Sequence, residues 1–399
     1  MNPEGIRIME RFEQQHSPEK TISEFEDLRS LNLAERDLRT VSVEVLITAD
    51  FDTKTIWPEQ DKMPIGFNPE KNIDEAKNPG LGIRELHQKG IDGRGIKVAI
   101  IDQTLSSERG ELIQHSEYAS NIVDYKEIGD AKDEDISMHG PAVASLLVGK
   151  ECGVAPGAEL VYRATPPGRD FNHKADALLD IIEFNKTLPL KDRIRVVSCS
   201  IGYKEEKPEQ GLERWIEAIK KAEAEGIIVS DVGDRTGVDY IGGGTSGNKA
   251  NPENYDRALF SRDQEDKDLD KIFAESGGDI DLILQKIRGV KKNEVLNIPD
   301  SVLREKIQRA LYERGKEIII PCDYRTMASN AGPNEYMYNG KGGMSWAVPY
   351  LSGLFALAFQ INPNLTKKEI AGAINKTAIV NKKGFKVVNP KGFIEAIQQ

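Results

Sequence analysis

From about residue 79 onward, short apolar runs alternate with stretches in which apolar residues return every three or four positions. Ile96 to Asp102 and Glu159 to Ala164 read as strands, Pro141 to Val148 as an apolar helix, and Ala175 to Phe184 as a helix with Leu178, Ile181 and Ile182 on one face. Ile194 to Cys199 is the next strand. Leu212, Trp215, Ile216, Ile219 and Ala222 recur at helical spacing, Gly226 stands at the C-cap position, and Ile227 to Val232 resumes a strand. Strands that alternate with helices predict an α/β fold, a mostly parallel sheet with helices on both faces. In such sheets reactive groups gather beyond the carboxyl ends of the strands, where Asp102, Ser200 and Asp234 fall.

The flanking regions have a different pattern. Residues 1–78 form a charged N-terminal extension, in which Glu10 to Arg39 predicts helix and the β-branched run Val41 to Ile47 predicts a short strand. Pro58, Pro64, Pro69 and Pro79 then punctuate an irregular link into the domain of residues 79–399. A charged, helix-rich insertion is expected at about 253–316; its acidic run, Asp263 to Asp268, lacks the central glycine and closing glutamate of an EF-hand loop. No internal repeat or low-complexity tract is evident.

Composition narrows the partners. The 399 residues are 39% hydrophobic and 30% charged, and 54 Lys and Arg against 65 Asp and Glu give a net charge of −11. An acidic balance has no field to attract phosphate backbones or anionic lipid, so neither nucleic acid nor membrane is an expected partner. The first residues lack the basic and apolar regions of a secretory signal. Trp346 to Ile361 is apolar but shorter than the roughly 20 residues a bilayer needs, and it contains Pro349 and Gly353. The odd set Cys152, Cys199 and Cys322, without CxxC spacing, fits reduced thiols in a cytoplasm better than a disulfide framework. His115 and His173 have no HExxH partner for zinc, and Gly242 to Lys249 lacks the spacing of a Walker phosphate loop.

The candidate chemistry lies in three blocks. Gly343-Met344-Ser345-Trp346-Ala347 sets a serine in a glycine-led turn before an apolar helix, Met138-His139-Gly140 opens another, and Asp102 ends an apolar strand. A serine hydroxyl is a weak nucleophile until a base takes its proton, and an imidazole doing so needs a carboxylate to fix its tautomer and stabilise its charged form. Taken singly, each residue also has a plain reading, as helix cap, loop-to-helix residue or strand-end turn former.

Together the blocks resemble the subtilisin-like serine peptidases, which carry the triad in the chain order Asp, His, Ser. Met138 to Ala144 resembles the family's histidine block, Gly153-Val154-Ala155-Pro156-Gly157-Ala158 its next segment, and Val197 to Gly202 the strand lining the substrate's P1 side chain. The resemblance implies catalytic Asp102, His139 and Ser345, with Ser198, Ser200 and Gly202 bordering a peptide or protein substrate. It implies no cofactor; calcium is often bound in the family, but no block here matches such a loop well enough to name ligands. Met344 and Trp346 flank the serine where the family has threonine and methionine, Gln103-Thr104 replace a small turn pair, and Pro141 and Ala142 replace a threonine and a second histidine. Asp234 occupies the position of the asparagine that donates to the oxyanion, and an ionised carboxylate cannot donate. Two readings follow, a serine endopeptidase slowed at Asp234 and a silenced pseudopeptidase that captures a peptide or partner protein.

Overall fold

A computed structural model describes residues 21–106, 111–129, 131, 137–202, 209–232, 236–260 and 317–398. The described helices, in chain order, are α1 (Val43–Thr48), α2 (Pro69–Ala76), α3 (Ile83–Gln88), α4 (His139–Val148), α5 (Phe171–Thr187), α6 (Leu212–Ala224), α7 (Met344–Ile361), α8 (Lys367–Thr377) and α9 (Pro390–Ile397). The strands are β1 (Asp50–Asp52), β2 (Lys97–Asp102), β3 (Ile122–Glu127), β4 (Glu159–Ala164), β5 (Val196–Ser198), β6 (Ile228–Ser230), β7 (Tyr240–Gly244), β8 (Asp256–Arg257), β9 (Ile318–Pro321), β10 (Arg325–Ala328), β11 (Tyr336–Asn339), β12 (Ile379–Val380) and β13 (Lys386–Val387).

The centre is a parallel sheet in the order β3-β4-β2-β5-β6. Apart from the edge strand β3 its strands are buried on both faces, so side-chain alternation decides which helix each residue meets. Ala99, Ile101, Val161, Val197 and Val229 point into one apolar cluster, with residues of α5 and α6. Val98, Ile100, Leu160, Tyr162, Val196 and Ile228 belong to the other, with residues of α4 and α7. Asp102 shares the parity of Val98 and Ile100, so the period of two aims its carboxylate towards the α4 and α7 face. The expected α/β fold with helices on both faces is the one observed. A second sheet, β12-β13-β9-β7-β8, and a three-stranded sheet, β1-β11-β10, complete the architecture.

The N-terminal region departs from expectation. The predicted helix from Glu10 to Arg39 is absent over residues 21–39, and residues 1–20 lie outside the described residues. In its place a five-residue period buries Leu28, Leu33 and Leu38. Asp27, Asn32 and Asp37 precede these leucines, and each accepts a hydrogen bond from the backbone N–H two residues on, in Arg29, Ala34 and Arg39. Such local bonds compete with helix formation, and turns closed by Leu31 N–H to the Leu28 carbonyl, Arg36 to Leu33 and Val41 to Leu38 repeat in step. The expected absence of a repeat is corrected accordingly.

Val41 to Ile47 is not a strand either. Ser42 accepts from Val45 N–H at 3.2 Å and starts α1. The extension's strand is β1, which pairs antiparallel with β11 in register Asp50 to Asn339, Phe51 to Tyr338 and Asp52 to Met337. The proline-punctuated link contains α2, with Pro69 in its first turn and Asn68 as its cap. Most of the expected insertion, residues 261–316, lies outside the described residues. Of the described helices, Met344–Ile361 alone has the length and apolarity to cross a membrane, and 78% of it is buried inside the protein.

Candidate active site

Asp102 is placed by β2 and fixed locally by accepting the Gln103 N–H at 2.8 Å. His139 begins α4, and its Nδ1 lies 2.6 Å from Asp102 Oδ1. Gly140 permits this approach: a Cβ there would fall 2.5 Å from the Gln103 carbonyl oxygen and 2.8 Å from the Tyr162 hydroxyl. Because an ionised carboxylate only accepts, the hydrogen bond puts the imidazole proton on Nδ1 and leaves Nε2 as the basic nitrogen. Burial pushes the His139 pKa down, but the charge and hydrogen bond of Asp102 together push it further up, and the Lys174 cation opposes them; the net direction is upward.

Ser345 is the second residue of α7. Gly342, in the left-handed region at φ 79°, turns the chain into the helix where a Cβ would meet Asp323 Oδ1 at 1.9 Å. Pro349 lies four residues after Ser345 and has no N–H, so the Ser345 carbonyl lacks its ordinary helical donor. The Ser200 hydroxyl fills that role at 2.9 Å. The Ser345 hydroxyl in turn donates to the Ser200 carbonyl at 3.5 Å, and no hydrogen bond joins Ser345 to His139 among the described residues. The Ser345 N–H belongs to the first turn, whose donors have no intrahelical acceptor and suit a developing anion.

A cavity of about 150 Å³ opens beside these groups, lined in part by Asp102, His139, Arg169, Lys174, Cys199 and Ser200. Of the substrate-bordering residues expected from sequence, Ser200 lines it. Ser198 is 1% exposed at the end of β5 and is absent from that lining, because its parity turns the side chain into the core. Gly202 packs near Val232, where an added Cβ would come within 3.2 Å. Asp234 lies outside the described residues. Sequence reasoning missed Lys174, which is 6% exposed and donates to the Pro166 carbonyl at 2.5 Å. Its position directly before the apolar stripe of α5 was the available signal.

The remaining chemistry-bearing groups have structural work. His115 is buried, donates from Nε2 to the Glu335 carbonyl at 2.9 Å and accepts the Glu117 N–H at Nδ1. All three cysteines are buried and reduced, and burial pushes each thiol well up. No group of three His, Cys, Asp or Glu side chains is gathered as a cation site among the described residues.

Residues 93–259 match the Subtilase family model, Peptidase S8. Over 152 residues the chain is 25% identical to the major intracellular serine protease of Bacillus subtilis (strain 168), a match spanning 36% of this chain and 44% of that relative's length. Among solved structures it is similar to proteases from Pseudoalteromonas arctica, at 15% identity and TM-score 0.48 over 83% of this chain and 98% of the other. It is also similar to the prenylagaramide maturation protease PagA, at 15% identity and TM-score 0.47 over 79% and 98%. The family match contains both the strand that ends in Asp102 and the helix that begins at His139, and over that stretch the chain is similar to the subtilase family.

Proposed function

We propose that the chain is a serine endopeptidase that hydrolyses peptide bonds through an acyl-enzyme on Ser345. The observation that carries this reading is the 2.6 Å pair of Asp102 and His139, on the same side of the sheet as the Ser345 turn. In the first half-reaction the Ser345 hydroxyl oxygen bonds to the scissile carbonyl carbon while its proton passes to His139 Nε2. Collapse of the tetrahedral intermediate breaks the C–N bond, and His139 returns the proton to the leaving amine. Water then attacks the ester by the same route, giving up a proton to His139, which passes it back to the Ser345 oxygen. Asp102 keeps the ring in the right tautomer and stabilises the imidazolium.

The Ser345 N–H supplies one oxyanion donor. Asp234 stands where the family's second donor belongs, and its carboxylate slows turnover unless protonated. The substrate is a peptide or protein; nucleic acid and membrane do not suit a chain of net charge −11. A cytoplasmic setting suits the three buried, reduced cysteines.

A second reading, a silenced peptidase that binds a peptide in the same cleft, is favoured by the Ser345 hydroxyl pointing to the Ser200 carbonyl. Free triads often close only with substrate bound, which keeps catalysis the first reading. Labelling with a fluorophosphonate probe separates the two. Covalent modification that disappears in Ser345→Ala is expected; an unlabelled wild type would overturn the peptidase reading.

A further inference from the structure

Both flanks of Ser345 hang on one side-chain amide. Asn339, the last residue of β11, accepts through Oδ1 from Gly342 N–H at 2.7 Å and from the Trp346 indole N–H at 3.2 Å. Gly342 makes the turn before Ser345, and Trp346 follows it with its ring against His139. An amide has a donor end and an acceptor end, so these bonds exist only in one of its two flip states.

The extension sets that state. Asp50, at the start of β1, accepts the Asn339 Nδ2 donor through Oδ2 at 2.8 Å and the Gly340 N–H through Oδ1 at 3.0 Å. An ionised carboxylate can only accept, so it holds the amide with its donor end towards β1 and its oxygen towards the serine turn. We infer that Asp50 is a positioning residue for the nucleophile: the N-terminal extension orients Ser345 through Asn339, and forms a working part of the site. The inference rests on the proposed role of Ser345.

Three further observations support it. The Tyr338 hydroxyl donates to the Ile47 carbonyl at 2.9 Å, and the Phe51 and Tyr338 rings stack with centroids 4.6 Å apart, so β11 is clasped along its length. A Cβ on Gly340 would fall 2.4 Å from the Ile47 carbonyl oxygen, which gives the close approach of the extension a steric requirement. Burial also pushes the Asp50 carboxyl up to about 6, with Arg29 pulling it down and Asp27 pushing it up. A neutral residue would suffice for an edge strand that only paired its backbone.

The test uses the full chain. Asp50→Asn leaves one oxygen where two donors, the Asn339 NH2 and the Gly340 N–H, had each an acceptor, so its NH2 opposes one of them and the hold on the Asn339 amide is broken. In the exchange Asp50→Asn with Asn339→Asp only the bond between positions 50 and 339 reverses its direction, and every other bond is kept. Asp52→Ala, which unties Ser30 and Thr55 without touching Asn339, controls for loss of extension stability. The fluorophosphonate labelling rate should fall about tenfold in Asp50→Asn and return to within about twofold of wild type in the exchange variant. It should stay within about twofold in Asp52→Ala, the size of effect expected where the reacting geometry is untouched. A wild-type rate in Asp50→Asn, or no recovery on exchange, overturns the inference. The Trp346 indole N–H resonance in selectively 15N-labelled protein gives an activity-independent reading, identified by its loss in Trp346→Phe. It should move in Asp50→Asn and move back on exchange. If wild type is not labelled, the nucleophile assignment fails, and an unmoved indole signal would still overturn the relay on its own.

Discussion

The indole of Trp346 lies against the imidazole of His139, with ring centroids 5.1 Å apart and planes inclined at 37°. Trp346 is 7% exposed and directly follows Ser345, so the residue that departs from the family's methionine becomes a wall for the proposed base. Trp346→Phe keeps a ring beside His139 and gives up the indole donor to Asn339. In a Ser345→Ala background, denaturant unfolding should show a loss of about 1 to 2 kcal/mol. Trp346→Ala should lose about 3 to 5 kcal/mol, because it also empties the wall. Equal losses would mean that the ring contributes nothing beyond its hydrogen bond.

Lys174 gives the pH profile a handle. Its cation shares the cavity of His139 and opposes the upward push of Asp102 on the imidazole. His139 serves as base only when neutral, so kcat/KM should rise with pH through a value above that of an ordinary histidine. In Lys174→Met the opposing cation is gone, the imidazolium is more stable, and the acid limb should move to higher pH. A limb that stays in place or moves down would contradict the coupling.

Asp234 is the site at which turnover should be gained. On the proposed role of Asp234, an asparagine amide would donate where an ionised carboxylate would repel, so Asp234→Asn should raise ester turnover by about 10² to 10³. Steady-state kinetics on a peptide ester read the effect directly. Unchanged turnover would assign the second oxyanion donor to another residue.

The contact between α7 and the segment before β4 predicts a steric cost. A Cβ on Gly353 would lie 2.5 Å from the Val154 Cβ, inside a fully buried seam. Gly353→Ala should lower stability by about 1 to 3 kcal/mol, and adding Val154→Ala should recover part of it. Thermal unfolding of the single and double variants checks both signs.

Much of the parallel sheet could be read from sequence because its signals are local. Val98, Ile100 and Asp102 alternate with Ala99 and Ile101, and Leu212 to Ala222 carry a helical stripe that ends before Gly226, which adopts φ 76°. Asp102 and His139 were legible for the same reason, each standing at the end of an apolar element. The N-terminal region was not, because its structure depends on side-chain bonds and distant partners. Asp27, Asn32 and Asp37 each close a turn that helical periodicity ignores. The partner of β1 is β11, so no local pattern announces the strand. Lys174 was hidden because a lysine is expected at the surface, and here its stem follows the apolar face of α5 while its head meets a carbonyl.

The bond between Asp50 and Asn339 joins residues 289 positions apart. At about 5 to 20 residues per second, a ribosome needs roughly 15 to 60 s to deliver the second partner after the first. The extension therefore exists as nascent chain long before the serine turn it meets, and the two close one of the longest loops in the molecule. Assembly of the proposed hydrolytic centre then waits until the serine turn has been made, and a product that stops short of it carries Asp102 and His139 without a nucleophile. For a protein proposed to cut peptides, that order of assembly acts as a safeguard for the chains being made beside it.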